Sequence, residues 1–190
     1  MAVYTEVSDE ELNGFLAQYD IGNATSCKGI TEGVENSNYL LHTDGGIYIL
    51  TLYEKRVVRE DLPFFLGLME HLASKGFPCP TPIKGNDGEA LRDLCGKPAA
   101  IVTFLDGMWP RRKSPAHCRG LGASAARMHI AGANFALSRP NNLSLAGWRK
   151  LADATAGRAG EIKAGLGDTI ATELEFLEAG WPGDLPGGII

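Results

Sequence analysis

Hydrophobic and polar positions divide the chain into a strand-rich first half and a helical second half. Apolar residues recur at helical spacing after Ser8, where Glu11 completes a capping box, and this predicts a first helix. Asp44-Gly45-Gly46 is typical of a tight hairpin between two alternating runs. An antiparallel meander is therefore predicted from three strand-like runs, at residues 26–31, 38–43 and 47–54.

A second helix and a buried strand complete the first half. Asp61 and Pro63 are typical of a helix start, and an apolar stripe continues from there to Gly76. Asp87-Gly88 predicts another hairpin turn. The nearly continuous apolar run at 98–105 predicts a central strand that is buried on both faces.

After residue 106 the pattern is helical throughout. Ser114-Pro115 predicts a helix start, and that helix continues to about residue 130. Two further helices are predicted at 144–163 and 168–179. We expect the buried side of the first of these three helices to consist of Leu121, Ala125 and Met128.

Composition narrows the function classes. A hydrophobic content of 44% predicts a packed core. The net charge of -5, with Arg111-Arg112-Lys113 as the longest cationic run, argues against a nucleic-acid or anionic membrane surface. We expect a cytoplasmic protein, because no signal peptide or membrane-length apolar run is recognisable. A zinc site is not expected, since no CxxC spacing occurs among Cys27, Cys79, Cys95 and Cys118.

Several segments resemble type II homoserine kinases, a branch of the aminoglycoside-phosphotransferase-like kinases. The most specific are "EGVENSN" and "LTLYEKR", and "DLPFFLGLMEHLASKGFPCPTPI" and "IVTFLDG" support them. The resemblance implies an α+β, protein-kinase-like fold: an antiparallel-sheet N-lobe at 1–105, then the start of a helical C-lobe at 106–190. It also implies ATP-dependent phosphorylation of L-homoserine with Mg²⁺, on the route to threonine.

The same resemblance assigns residues 29–38 to a loop over the nucleotide phosphates. Kinases use glycine there because backbone N–H groups approach phosphate closely only where side chains are absent. Gly29 and Gly33 would serve in this way, and side-chain donors would come from Asn36, Ser37 and Asn38. Taken alone, the segment also fits an ordinary polar β-turn.

Thr51 occupies the strand position where general kinases carry a phosphate-pairing lysine. Lys55 or Arg56 would replace that lysine, or both are solvated charges at a strand end. Glu60 and Glu70 are the candidates for the helix glutamate that pairs with such a lysine. Adenine would contact the hinge through Thr103, Phe104 and Leu105.

The catalytic motif of the fold is not found in these residues. It reads His-x-Asp-x-x-x-x-Asn, yet His42, His71, His117 and His129 have no Asp two residues later. Catalytic residues and metal ligands are therefore assigned to none of the 190 residues. "LPGGII" at 185–190 resembles the entry to the catalytic loop, so we expect the chain to stop before that loop and to lack useful kinase activity.

Two other functions stay open. One is a non-catalytic nucleotide-binding or interaction module derived from such a kinase, whose exposed apolar surface would permit self-association. The other is a kinase of the same branch that acts on choline or an aminoglycoside.

Overall fold

The computed structural model describes residues 3–54, 58–185, 187 and 188. These residues form two compact units, the first extending to Leu137 and the second spanning Ser138–Gly187. The expected division into lobes at 105/106 stays a prediction. Lys55 and Arg56, and the last two residues of the expected catalytic-loop strand, lie outside the described residues.

The first unit is built on a five-stranded antiparallel sheet with strand order β1-β2-β3-β5-β4. Both the predicted meander and the α+β class are confirmed. The elements are α1 (Asp9–Leu16), β1 (Ala24–Ile30), β2 (Asn36–Thr43), β3 (Gly46–Tyr53), α2 (Leu62–Ser74), β4 (Arg92–Leu94), β5 (Lys97–Thr103) and α3 (Pro115–Ala131).

Helix α1 begins at the predicted capping box. The Glu11 N–H donates to Ser8 Oγ at 3.3 Å, and the Ser8 N–H donates to Glu11 Oε2 at 3.0 Å. This pairing satisfies two backbone donors that a helix start leaves open. The apolar side of α1 then covers one face of the sheet, and the shared core includes Leu12, Phe15, Leu16, Tyr39, Leu41, Leu50, Leu52 and Ile101.

Strand β2 has two distinct faces. Ser37, Tyr39, Leu41 and Thr43 are buried, and every residue between them is half-buried. Since side chains alternate across a strand, the buried set lies on the α1 side and Asn36, Asn38, Leu40 and His42 lie on the other.

The hairpin predicted around Asp87-Gly88 is wrong. A turn is present, with the Gly88 N–H donating to Gly85 O at 2.8 Å, but the segment before it is not a strand, and β4, which follows it, pairs with β5 instead. The hairpin is instead formed by β4 and β5, around Cys95 (φ 52°) and Gly96 (φ 69°). Cysteine rarely adopts positive φ, so a Cys-Gly pair is not a usual signal for this kind of turn.

The predicted bounds of α3 are confirmed, but its predicted buried side is only half-buried at Ala125 and Met128, and the prediction is wrong at Leu121. Leu121 is 72% exposed, and none of the described residues of α3 is fully buried. Contacts with α2 lie near the C-terminal end of α3, where His71 Nε2 is 2.9 Å from Ala131 O. The apolar stripe identified a side of the helix, but it could not indicate whether a neighbour covers that side.

The second unit consists of α4 (Leu145–Thr155), α5 (Ala159–Ile162) and α6 (Leu166–Gly180). The predicted helix at 144–163 is interrupted by a 3₁₀ turn at Ala156–Arg158. Arg149 and Glu178 join α4 to α6 at 2.7 Å. A partly open pocket of about 70 Å³ lies in this unit, and its volume is well below that of a nucleotide pocket. No helix within the described ranges has the length and apolarity needed to cross a bilayer.

Core and surface leucines should therefore differ sharply in their effect on stability. We expect Leu50→Ala to lower the free energy of unfolding by about 3 kcal/mol, because Leu50 is fully buried in the sheet core. Its matched control, Leu121→Ala, should change that free energy by less than about 0.5 kcal/mol. Urea unfolding followed by circular dichroism measures both, and equal losses would contradict the exposed position of α3.

Candidate functional site

The candidate site is the sheet face opposite α1, where polar side chains of β2 and β3 meet. Asn38 and Thr51 are cross-strand partners, and Thr51 Oγ1 donates to Asn38 Oδ1 at 2.8 Å. No described residue accepts a hydrogen bond from Asn38 Nδ2. The pair is neutral and half-buried, and it leaves two amide donors for an external acceptor.

Only one of the two predicted loop glycines lies in the loop between β1 and β2. Gly33 has φ +107° with open space around it, so it permits a backbone turn that other residues disfavour. Gly29 belongs to β1, where an added Cβ would lie 2.7 Å from Val3 Cγ2. The missing side chain of Gly29 thus makes room for the N-terminal segment.

Asn36 and Ser37, both predicted phosphate donors, lie on opposite faces of β2. Asn36 shares its face with Asn38, and its Oδ1 accepts from the Glu54 N–H at 3.4 Å. Ser37 is fully buried on the α1 face. Its hydroxyl accepts from the Tyr4 and Thr5 N–H groups and donates to Glu54 Oε1 at 2.8 Å.

Glu54 is a residue that the sequence reasoning missed. Its carboxylate is 10% exposed and accepts from Thr5 Oγ1 at 2.7 Å, from Ser37 and from Lys97 Nζ at 3.2 Å. Burial alone would raise the pKa of Glu54, but the hydrogen bonds and the Lys97 charge hold that pKa below its usual value. Period-2 alternation from Leu50 and Leu52 was the available signal, because it places Glu54 on the buried face.

The candidate helix glutamate has another partner. Glu70 of α2 pairs with Lys84 at 3.2 Å, on the segment that follows this helix. Glu60 is exposed, at the turn before α2. The Lys84 pair satisfies the charge of Glu70 without a lysine on β3.

The predicted hinge residues differ in the hydrogen bonds that their backbone groups make. The Thr103 N–H donates to Thr81 O at 3.0 Å, and the Phe104 N–H donates to Ile47 O at 3.3 Å. Within the described ranges, no hydrogen bond engages the backbone of Leu105. Phe104 and Leu105 are also partly exposed, so Leu105 combines apolar surface with an available donor and acceptor.

The part of the chain that the structure describes contains no group of three or more His, Cys, Asp or Glu side chains arranged to hold a metal ion. Zinc and calcium sites need such a group, whereas Mg²⁺ at a nucleotide can be held by one or two carboxylates together with the phosphates. Among the described residues there is thus no arrangement typical of a zinc or calcium site.

Comparison with known proteins identifies the family. The model of the "Phosphotransferase enzyme family" matches residues 26–190. The chain belongs to this family. Homoserine kinases from Paramagnetospirillum magneticum and Bradyrhizobium diazoefficiens are 65% and 62% identical to this chain over 190 and 191 residues. The matches cover 100% of the chain and 58% of each relative, so the predicted resemblance to homoserine kinases is confirmed.

Solved structures confirm the protein-kinase-like fold of the chain. A spectinomycin phosphotransferase, determined with ADP and spectinomycin, superposes with a TM-score of 0.65 at 12% identity, covering 94% of this chain and 60% of that one. An aminoglycoside phosphotransferase from Ralstonia eutropha, described as putative, superposes with a TM-score of 0.58 at 18% identity. This match covers 94% of the present chain and 55% of that protein.

The fold thus brings Asn36, Asn38 and Thr51 to one face of the sheet. Gly33 lies in the adjoining loop, whereas Ser37 belongs to the core side. A polar segment at a strand start is easily recognised in the sequence, but which of its side chains face outward depends on the strand's register.

Acid should weaken the contribution of Glu54 to stability. A carboxylate with a lowered folded-state pKa stabilises the fold above its usual value of 4.5, and this stabilisation is lost as pH falls through the lowered pKa. We expect Glu54→Gln to lower the free energy of unfolding by about 2 kcal/mol at pH 7. This difference in free energy between the variant and the unsubstituted chain should become steadily smaller below about pH 4.5.

Urea unfolding at pH 7, 4 and 3 measures this difference. Glu89→Gln is the matched control, because Glu89 is exposed and should give almost no difference at any pH. If the free energies of unfolding of Glu54→Gln and the unsubstituted chain differ by the same amount from pH 7 to pH 3, the lowered pKa of Glu54 is contradicted.

Proposed function

We propose that this chain supplies the nucleotide-binding part of a homoserine kinase-type phosphotransferase. The enzyme would transfer the γ-phosphoryl group of ATP to the side-chain hydroxyl of L-homoserine. The observation that carries the proposal is the Thr51–Asn38 pair, which directs amide donors outward from the sheet beside the Gly33 loop. Its setting, in a chain 65% identical to a homoserine kinase, supports ATP as the nucleotide.

The neutral pair would perform part of the role that lysine has in other kinases. Lysine both orients and neutralises the phosphates, whereas Asn38 Nδ2 orients them by hydrogen bonding alone. Backbone N–H groups near Gly33 would add donors without side-chain obstruction. Because neither group carries charge, neutralisation would fall to cations outside this pair.

We include Mg²⁺ in the proposal because kinases in general use it, and not because of any residue of this chain. It would neutralise phosphate charge when bound. The described residues offer no acidic cluster that fits the ion, so we assign it no ligand and no step here.

The base of the nucleotide would bind at the hinge. Adenine is flat and apolar with a polar edge, so it suits the exposed side chain of Phe104 and the backbone of Leu105. Thr103 would hold the hinge in place, because its N–H and Oγ1 both bond to Thr81.

Homoserine is proposed as the acceptor because two relatives above 60% identity carry that name. Choline and aminoglycosides are the competing acceptors, and a spectinomycin phosphotransferase shares the fold at 12% identity. We also propose a cytoplasmic location, which is supported by four free cysteines, since thiols stay reduced in that compartment.

Nucleotide binding should depend on Asn38 more than on its neighbours along the strand. We expect Asn38→Ala to weaken ADP binding about tenfold, since a hydrogen bond to a charged phosphate is lost. His42→Ala is the matched control on the same face of β2, about 13 Å further along the strand, and it should leave the affinity unchanged. Isothermal titration calorimetry measures both, and equal affinities for the two variants would contradict the site.

The acceptor can be tested in a chimera. The region of the Paramagnetospirillum magneticum homoserine kinase that this chain matches is replaced by this chain, 65% identical to it. We expect the chimera to form ADP in the presence of L-homoserine and ATP, and to ignore choline and spectinomycin. Phosphorylation of another acceptor in preference to homoserine would contradict the proposal.

The alternative is a non-catalytic nucleotide-binding or interaction module. The observation in its favour is the exposed apolar surface of α3, Leu121 and Ile130, with Met108 and Trp109 before it. Under this alternative, copies of the chain would associate with one another through these exposed side chains. ADP binding by this chain, combined with an inactive chimera, would favour it over the kinase.

A further inference from the structure

The N-terminal segment, residues 3–6, crosses the end of the sheet next to the Gly33 loop, and we call it the strap. Its Tyr4 and Thr5 N–H groups donate to Ser37 Oγ at 2.8 and 3.2 Å. Tyr39 Oη donates to Thr5 O at 2.5 Å, and Thr5 Oγ1 donates to Glu54 at 2.7 Å. Most of the polar groups of Thr5 are thus bonded to strands β2 and β3.

The strap also touches the loop itself and the strand that enters it. Tyr4 Oη donates to Val34 O at 3.2 Å, within the loop. Val3 occupies the space beside Gly29, close to the end of β1. The strap therefore contacts the strand before the loop, the loop, and the strand after it.

Ser37 holds the strap at the loop's C-terminal side. Its hydroxyl is fully buried, and it accepts two backbone hydrogen bonds and gives one to Glu54. A buried hydroxyl with this set of partners has little freedom to turn elsewhere. Ser37 is thus bound to the strap rather than directed at a ligand.

The Tyr4 hydrogen bond fixes the direction of one peptide group in the loop. The peptide between Val34 and Glu35 is planar and trans, so its N–H points opposite to its carbonyl. With the Val34 carbonyl directed at Tyr4, the Glu35 N–H is directed away from the strap. A backbone donor with a fixed direction is what a phosphate-binding loop requires.

We propose that the strap positions the loop at residues 31–35 for the nucleotide phosphates, with Tyr4 and Ser37 as positioning residues. The inference rests on the proposed nucleotide site. A loop that is already ordered loses less conformational entropy on binding, so part of the affinity comes from a segment that never touches the ligand.

Tyr4→Phe is the most selective test, because it removes one partly exposed hydroxyl and keeps the ring. In the 190-residue chain without nucleotide, we expect hydrogen–deuterium exchange of the amides at 31–35 to become faster. ADP affinity, measured by calorimetry, should fall about threefold while the melting temperature stays unchanged.

Ser37→Ala and Thr43→Val form a matched pair on the buried face of β2. Each removes a hydroxyl that ties an earlier segment to the strand, Ser37 to the strap and Thr43 to Ile21 O at the opposite end. We expect both to lower the melting temperature. Only Ser37→Ala should also speed exchange at 31–35 and weaken ADP binding, by about tenfold.

The two proposals fail in different ways. Loop exchange that is unchanged by Tyr4→Phe overturns the strap inference whatever the binding result, and so does an equal loss of ADP affinity in Ser37→Ala and Thr43→Val. An unsubstituted chain that binds no ADP overturns the proposed nucleotide site, while the exchange rates still decide whether the strap holds the loop.

Discussion

The alternation of side chains along β2 is the constraint on which the rest of the structure depends. Ser37, Tyr39 and Leu41 face α1, and Asn36 and Asn38 face the other way. A shift of one residue in register would bury the asparagines and expose the core residues, at a large cost in apolar burial. The same packing that stabilises the sheet therefore also selects which polar groups are offered to a ligand.

A buried carboxylate joins this sheet to the N-terminal strap. Glu54 continues the buried face of β3 after Leu52, where an unpaired charge would be strongly unfavourable. Thr5, Ser37 and Lys97 all contact its carboxylate; Thr5 belongs to the strap, and Ser37 also holds it. The same hydrogen bonds thus stabilise the buried charge of Glu54 and attach the N-terminal segment to the sheet. This arrangement gives residues far from any ligand an influence on the loop.

Local signals predicted local structure well. The capping box at Ser8 and the Asp44-Gly45-Gly46 hairpin were both recognisable, since each depends on residues close in sequence. The Cys95-Gly96 turn was missed, because the neighbouring strand pairing holds a cysteine at positive φ. Leu121 was assigned to the buried side of α3, yet it is exposed. Such outcomes depend on long-range neighbours, which a periodic pattern does not specify.

The candidate site likewise combines features that the sequence predicted with features that depend on distant neighbours. The polar segment at 36–38 and the threonine at the lysine position were evident from the sequence. The opposite roles of Ser37 and Asn38 were not, because they required the strand register, and Glu54 was overlooked although its alternation with Leu50 was visible. The strap has no sequence signature of its own, since its hydrogen bonds are mostly made by backbone groups.

The central claim is that nucleotide binds the Asn38–Thr51 face beside the Gly33 loop. Its most direct test is a titration of the isotopically labelled chain with ADP, followed by two-dimensional nuclear magnetic resonance. We expect the side-chain amide signals of Asn38 and the backbone signals of Gly33 and Leu105 to shift most, and those of Thr43 to stay unchanged. Shifts confined to the second unit, Ser138–Gly187, would contradict it.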